Sequence, residues 1–406
     1  MMAHASNTLN TGDTAWVLMA TCLVLMMTVP GLALFYAGMV RKKNILGTMM
    51  HSIGATLVVS VLWVVVGYSL SFGQGNGFVG GFEHWLLADI ALDEMTGSIP
   101  TLLFVAFQMT FAVIAVAILS GSLAERIKFG SFLLFASLWT LLVYAPVCHW
   151  IWGGGWLTGD ALDFAGGTVV HISAGVAGLV LAVLLGKRKG YQKSYLAPAN
   201  LTLTLVGTGL LWVGWFGFNG GSALGANGTS AMAIIVSQVS ASVGGLAWLL
   251  CEYLHRGKAS ALGGASGAIA GLVGITPAAG FVDIGGAMAI GALTAVGCFG
   301  FISFVKHKIS IDDSLDAFGL HGVGGIIGAV LTGIFASERI MGKPLDTSFF
   351  GQLWLQIEGV IATALYSAVM TLIIGLLIKK FIGLRVSHED EYQGLDLAVH
   401  GEKVGD

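Results

Sequence analysis

Charge is what this chain has least of. Of its 406 residues, 10% are Asp, Glu, Lys or Arg and 56% are hydrophobic, against roughly 25% charged in an average soluble protein. A water-exposed surface of this size cannot be built from that stock. The net charge of -3 and the lack of a long basic run exclude a nucleic-acid partner. Cysteine is scarce too: Cys22, Cys148, Cys251 and Cys298 each fall inside or at the end of an apolar run. They provide no disulfide or metal framework and no redox information. Residues 1–14 are polar and uncharged apart from His4 and Asp13, so the n-region and cleavage site of a removable leader are missing and the first apolar run is expected to stay as a span. There is no nucleophile elbow, no Walker loop and no carboxylate pair in a soluble domain. Gly80-Gly81 and similar pairs lack the strand–turn–helix setting and the following Lys of a phosphate loop. Enzymatic function and a cofactor have no residues to stand on.

What the chain has instead is apolar length. Stretches of about 17–28 residues, each near the length that spans a bilayer, can be drawn at 15–39, 46–71, 100–123, 131–150, 164–185, 200–218, 228–254, 260–278, 280–304, 317–336 and 350–378. A β-barrel would need alternating segments of about ten residues, and these runs are longer and apolar throughout. The fold class expected is therefore an all-α polytopic membrane protein of about eleven transmembrane helices. Residues 1–384 form the membrane domain and 385–406 a polar, acidic cytoplasmic tail. Lys and Arg orient it, since positive loops stay in the cytoplasm. All of the 19 except Arg339 and Lys343 fall on one side, which places the N-terminus outside and the C-terminus inside the cell's inner (plasma) membrane.

Glycine, 60 residues of 406, is about twice its usual share of ~7%. Its pairs sit within apolar runs, as in Gly263-Gly264 and Gly324-Gly325, where small residues let helix backbones approach. Ten of the spans divide into five plus five, and an odd number per half inverts the second half relative to the first. Such a repeat places its site near the midplane. Two histidines fit this arithmetic: His171 lies about seven residues into the fifth span from the outer side, and His321 about eight residues beyond Asp313 on the inner side. At about 1.5 Å per residue they reach roughly 10–12 Å from opposite faces of a core about 30 Å thick. An ionisable group at such depth is a functional candidate, with a neutral hydrogen bond between helices as the plainer alternative. Two His without Cys or paired carboxylates are too few ligands for zinc.

Asp163 opens the fifth span in the run Asp163-Phe164-Ala165-Gly166-Gly167-Thr168-Val169-Val170-His171. It reads as a helix cap, as a carboxylate attracting a cation, or as both. Phe107, Phe111, Trp152 and the run Trp215-Phe216-Gly217-Phe218-Asn219 sit near outer span ends. They are either interfacial belt residues or an aromatic cage for a small cation, with Ser222 as an acceptor oxygen.

These residues and motifs resemble the Amt/Mep/Rh ammonium transporters, and specifically the bacterial Amt branch. The similarity runs from Pro30-Gly31-Leu32-Ala33-Leu34-Phe35-Tyr36 to Gly383-Leu384-Arg385-Val386. It includes the Asp163–His171 run, Trp215 to Ser222, Ser266 to Gly274 with Thr276-Pro277, and Asp316-Ala317-Phe318-Gly319-Leu320-His321-Gly322. The resemblance implies that Phe111, Trp152 and Ser222, with Phe107 beside them, recruit the cation. It implies that Phe111 and Phe218 gate the pore, that His171 and His321 form a twin-His dyad, and that Asp163 is structural and electrostatic. It further implies a homotrimer with one pore per subunit, and a PII-type regulatory protein docking on the cytoplasmic side. The expected activity is transport of ammonium or ammonia, with methylammonium as an analogue. The rivals are a water, urea or gas channel, an ammonium sensor, and, most weakly, a membrane enzyme.

Overall fold

Hydrocarbon offers no hydrogen bonds, so a segment crossing it must satisfy its backbone within itself, and helices do so. The structure, a computed structural model, describes residues 8–194 and 196–405, without the side chains of residues 305 and 307. Residues 1–7 of the expected leaderless N-terminus and Asp406 of the tail lie outside the described residues. Among the described residues, ten helices are long and apolar enough to cross a membrane: α1 (Thr11–Met39), α2 (Lys42–Phe72), α3 (Thr101–Ser122), α4 (Phe129–Ile151), α5 (Gly167–Leu185), α6 (Leu201–Gly220), α7 (Gly228–Arg256), α9 (Ile284–Phe304), α10 (Phe318–Phe335) and α11 (Phe349–Phe381). Between α7 and α9 lies α8 (Ala261–Ile275).

α8 occupies the stretch expected at 260–278, but it is only 15 residues long, about 22 Å at 1.5 Å per residue. Its end has a local cause. Pro277 has no N–H to extend the helix, and residues 276–281 turn inward instead, where the Pro277 carbonyl accepts the Phe164 amide at 3.0 Å. The chain is thus a multi-pass membrane protein with one shorter apolar helix buried among the longer ones.

α3 and α5 form the centre and are mostly buried, whereas α7, α9 and α11 are largely exposed and face outward. Close backbone approach sets the contact between α5 and α10. A Cβ on Gly175 would lie 2.4 Å from the Gly322 nitrogen, so only glycine fits there. Several helices contain π turns, among them Gly167–Ile172 at the start of α5, Phe216–Gly220 at the end of α6 and Phe318–Gly322 at the start of α10. Such turns are rare and concentrate at functional sites. These three carry His171, Phe218 and His321.

The tail is ordered against the face that holds most of the Lys and Arg loops. Ser387 and Asp390 form a reciprocal capping box for α12 (His388–Gln393), and α13 (Leu395–His400) follows. Glu391 accepts from Arg385 Nη2 at 2.7 Å and the Lys189 amide at 2.8 Å. Asp396 accepts the Gly47 amide at 2.8 Å, and Asn44 Oδ1 accepts the Leu395 amide at 2.8 Å. Beneath them Glu125 takes Arg41, Asn44 and Arg188, and Arg188 also grips Asp312. Burial alone would raise the Glu125 and Asp312 carboxyls; the Arg188 guanidinium, with Arg41 for Glu125 and Arg126 for Asp312, overcomes this and holds both below their ordinary range.

Candidate functional site

At the end of the bundle opposite the tail, a cavity of about 690 Å³ opens among α3, the end of α4, the turn between α6 and α7 and the segments before α5 and α11. Phe111, Trp152, Asp163 and Ser222 line it, together with Gln108 and Phe164. Phe107 is not on its wall. It is fully buried behind Phe111, the two rings meeting edge to face with centroids 4.9 Å apart.

α3 carries Phe111 inward, and the π turn of α6 carries Phe218 to meet it. The rings stack at 4.2 Å between centroids and 16° between planes, while Trp152 meets the Phe111 ring at 84° and 5.9 Å. The Ser222 hydroxyl donates to the Phe218 carbonyl at 2.7 Å. Its hydrogen is committed there, which leaves the oxygen as an acceptor. The Trp152 indole N–H donates to the Asp163 carbonyl at 2.8 Å, tying the cavity wall to the approach to α5.

Asp163 is buried beneath this wall. One carboxylate oxygen accepts the amides of Gly166 (2.9 Å) and Gly167 (2.7 Å), and the other those of Thr168 (2.8 Å) and Val169 (3.0 Å). A carboxylate has about four lone-pair sites, and all are used on otherwise unpaired amides at a helix start. Gly166, at φ +109°, makes the turn that aims those amides at one side chain. A Cβ there would also meet Val170 Cγ2 at 2.7 Å.

Beyond the stacked phenylalanines, His171 and His321 are adjacent. Their Nδ1 atoms are 3.2 Å apart and their ring centroids 5.1 Å apart, and both rings are buried. Two facing ring nitrogens make a hydrogen bond when one carries the proton and the other accepts it. His171 Nε2 has no partner among the described residues. Its ring stacks on Trp215 at 5.4 Å and 23°, and the Trp215 indole is held by Thr276 Oγ1 at 2.9 Å. No group of three or more His, Cys, Asp or Glu suited to a metal occurs among the described residues.

The structure gathers Phe111, Trp152, Ser222 and Asp163 at the cavity and links Phe111 through Phe218 to His171 and His321 by successive ring contacts, with Phe107 behind Phe111. The sequence assigns no role to Gln108 or Asp313, and it marks Trp215 only as a belt or cage aromatic. Asp313 repeats the arrangement of Asp163: it accepts the amides of Ala317, Phe318 and Gly319, plus the Ser122 hydroxyl, at the start of α10. The signal was in the sequence, since each aspartate stands eight positions before its histidine.

The chain matches the sequence model described as the Ammonium Transporter Family over residues 15–404. It is similar to an ammonium transporter of Aquifex aeolicus, with 51% identity over 409 residues covering 99% of this chain and 95% of that protein. It is likewise similar to an ammonium transporter of Bacillus subtilis, at 48% identity with 97% and 98% covered. Among solved structures, Saccharomyces cerevisiae Mep2 superposes with a TM-score of 0.87 at 36% identity, covering 94% of this chain and 91% of that one. A structure described as a sensor Amt protein superposes with a TM-score of 0.90 at 32% identity, covering 96% and 98%.

Proposed function

The chain belongs to the Ammonium Transporter Family, and from that premise we propose that it captures ammonium in the aromatic cavity, strips a proton, and passes ammonia between two phenylalanine rings to a twin-His lumen. The observation that carries this reading is the 3.2 Å contact between His171 Nδ1 and His321 Nδ1, directly beyond the stacked Phe111 and Phe218.

A bare cation entering low dielectric costs on the order of 20 kcal/mol before relaxation. Release of the proton to the water at the open mouth, so that neutral ammonia alone goes on, removes that cost. Trp152 and Phe111 offer ring faces worth about 0.5–2 kcal/mol each to a cation, and the Ser222 oxygen accepts one ammonium N–H. The Phe111 and Phe218 rings, stacked at 4.2 Å, leave no room between them and must swing apart for each passage. Below them, the hydrogen-bonded His pair in its neutral form presents one Nε2 acceptor and one Nε2–H donor, which suits ammonia, itself both donor and acceptor. Potassium has no proton to lose and is rejected.

The same reading counts α8 as an eleventh crossing, with the N-terminus outside and the tail inside. It also takes the protein to be a homotrimer. Gln238, exposed on α7 and bonded to Trp212 and Ser242, is costly against lipid and is covered if another copy packs there. The tail face, with its Lys and Arg loops, is the surface for a PII-type regulator.

The test is labelled methylammonium uptake into vesicles holding the purified protein, with ammonium-pulse currents on a supported membrane. Saturable uptake that excess potassium does not compete supports the reading. Binding without uptake would instead favour a sensor, and equal passage of water or urea a general channel.

A further inference from the structure

We propose that the Lys343–Asp346 ion pair, on the segment joining α10 to α11, sets how strongly the cavity mouth captures its cation. The inference rests on the reading of this cavity as the entrance. Lys343 Nζ lies 3.0 Å from Asp346 Oδ2, and both residues line the cavity that holds Phe111, Trp152 and Ser222. Their segment is fixed to the cavity's rim. The Ser337 amide donates to the carbonyl of Phe281, another lining residue, at 2.8 Å, the chain turns through Gly342 at φ +68°, and the Leu345 amide donates to Glu338 at 3.3 Å.

Charge around the mouth is sparse enough for one pair to matter. Lys343 is the one cationic side chain among the lining residues, and Asp163 and Asp346 are the acids. Asp163 is 6% exposed, with its lone pairs taken by four backbone amides. The Asp346 side chain is 79% exposed and that of Lys343 30%, so the charges an arriving cation meets first are these two. Paired, they nearly cancel. Unpaired, either one acts alone inside a concave, partly apolar wall, which focuses its field. Arg339, the other Lys or Arg of this segment, leans away toward Asp283 at 3.8 Å.

Two single variants should therefore move capture in opposite directions. K343Q removes the repulsive charge and leaves Asp346 free, so the half-saturating methylammonium concentration should fall. D346N frees the lysine, so it should rise. For unit charges several ångströms from the cation at a partly hydrated mouth, each shift should be about two- to fivefold at low ionic strength and shrink as salt is added. The double variant K343Q/D346N should return close to the starting value.

The experiment is labelled methylammonium uptake into proteoliposomes carrying the full chain and each variant, at low and high concentrations of choline chloride, with W152L and S222A as controls. A purely structural role for the segment would move both single variants the same way and without regard to salt. That outcome, or no shift in either while W152L and S222A weaken capture, would overturn the inference and leave the entrance reading standing. If W152L and S222A are also without effect, the cavity is not the entrance and both fall.

Discussion

His171 and His321 share one hydrogen bond through their Nδ1 atoms at 3.2 Å, although 150 residues separate them in the chain. Each ring follows a capping aspartate by eight positions, so two copies of one local device are brought face to face. Replacing both histidines by leucine should leave the helices intact, because neither ring bonds a further polar group among the described residues. It should remove this pair of facing polar rings. Ammonium-over-potassium selectivity is expected to drop at least about tenfold, equivalent to roughly 1.4 kcal/mol. Uptake of labelled methylammonium with and without excess potassium measures it, and full potassium exclusion in the double variant would sink the dyad.

Trp152→Leu removes one ring from the cavity wall together with the indole bond to the Asp163 carbonyl. The half-saturating methylammonium concentration should rise by the worth of one cation–π contact, about 0.5–2 kcal/mol. Trp152→Phe keeps a ring without the N–H, so it should fall between the two. An unchanged half-saturation in Trp152→Leu would return this residue to the interfacial belt.

Asp163→Asn reads from sequence as a variant that keeps the cap and loses the charge. The geometry changes that expectation. Both carboxylate oxygens are in use, and an asparagine has one oxygen, so its NH2 group would face two amide donors. Each buried donor left without a partner costs about 1–3 kcal/mol. Asp163→Asn should therefore destabilise the protein much as Asp163→Ala does, read as a lower unfolding temperature in detergent. An Asn variant as stable as the parent would show that the four amide bonds do not act as drawn.

How much of this could be read in advance follows from what each feature depends on. Helices, their rough ends and the depth of the two histidines are consequences of apolar run length and a fixed rise per residue, which sequence displays directly. α8 ends at Ile275, a few residues short of the expected 278, because Pro277 cannot extend the helix although the residues around it stay small and apolar. Ring convergence was not legible. Whether Phe107 or Phe111 faces the cavity depends on the rotation of α3 against α4 and α6, and both rings stand on the same helix one turn apart. The docking of the tail was legible as charge but not as structure, since the residues that hold it, Glu391 and Asp396, become buried partners of specific amides.

The network beneath the tail should respond to acid and not to mild pH change. Glu125 and Asp312 titrate lower in the folded protein than their ordinary values, so the stability they contribute is fully present above those ordinary values, roughly pH 4. It is lost as pH falls through the lowered ones. Protection of residues 385–400 from protease should thus be flat from about pH 8 to 5 and decline below about pH 4. A loss centred between pH 6 and 7 would point to histidine instead and contradict the carboxylate account.

Glu391 is the point at which the tail is most exposed to a single change. Its side chain is fully buried against Arg385. It accepts the guanidinium at 2.7 Å and the Lys189 amide at 2.8 Å, linking the tail to the loop after α5. Arg385 has further acceptors in the Leu185 and Lys187 carbonyls, so it stays solvated by the backbone when the carboxylate is removed. The Lys189 amide has no such reserve. Removing one partner of a buried pair costs up to about 3–5 kcal/mol, and the two short tail helices, six residues each, cannot hold themselves in place. Glu391→Ala should release α12 and α13 and raise hydrogen exchange across residues 388–400 to that of an open segment. The membrane helices should remain as protected as before. Glu391→Gln keeps an oxygen for the Lys189 amide and should release the tail only partly, to a degree that grows with salt as the remaining charge contacts are screened. If exchange across 388–400 in Glu391→Ala matches the parent, the tail is held by its other contacts, those of Asp396, Leu395 and Asn44 and the Lys43 and Lys189 bonds to the Glu391, Tyr392 and His388 carbonyls, and the Arg385–Glu391 pair contributes nothing to its docking.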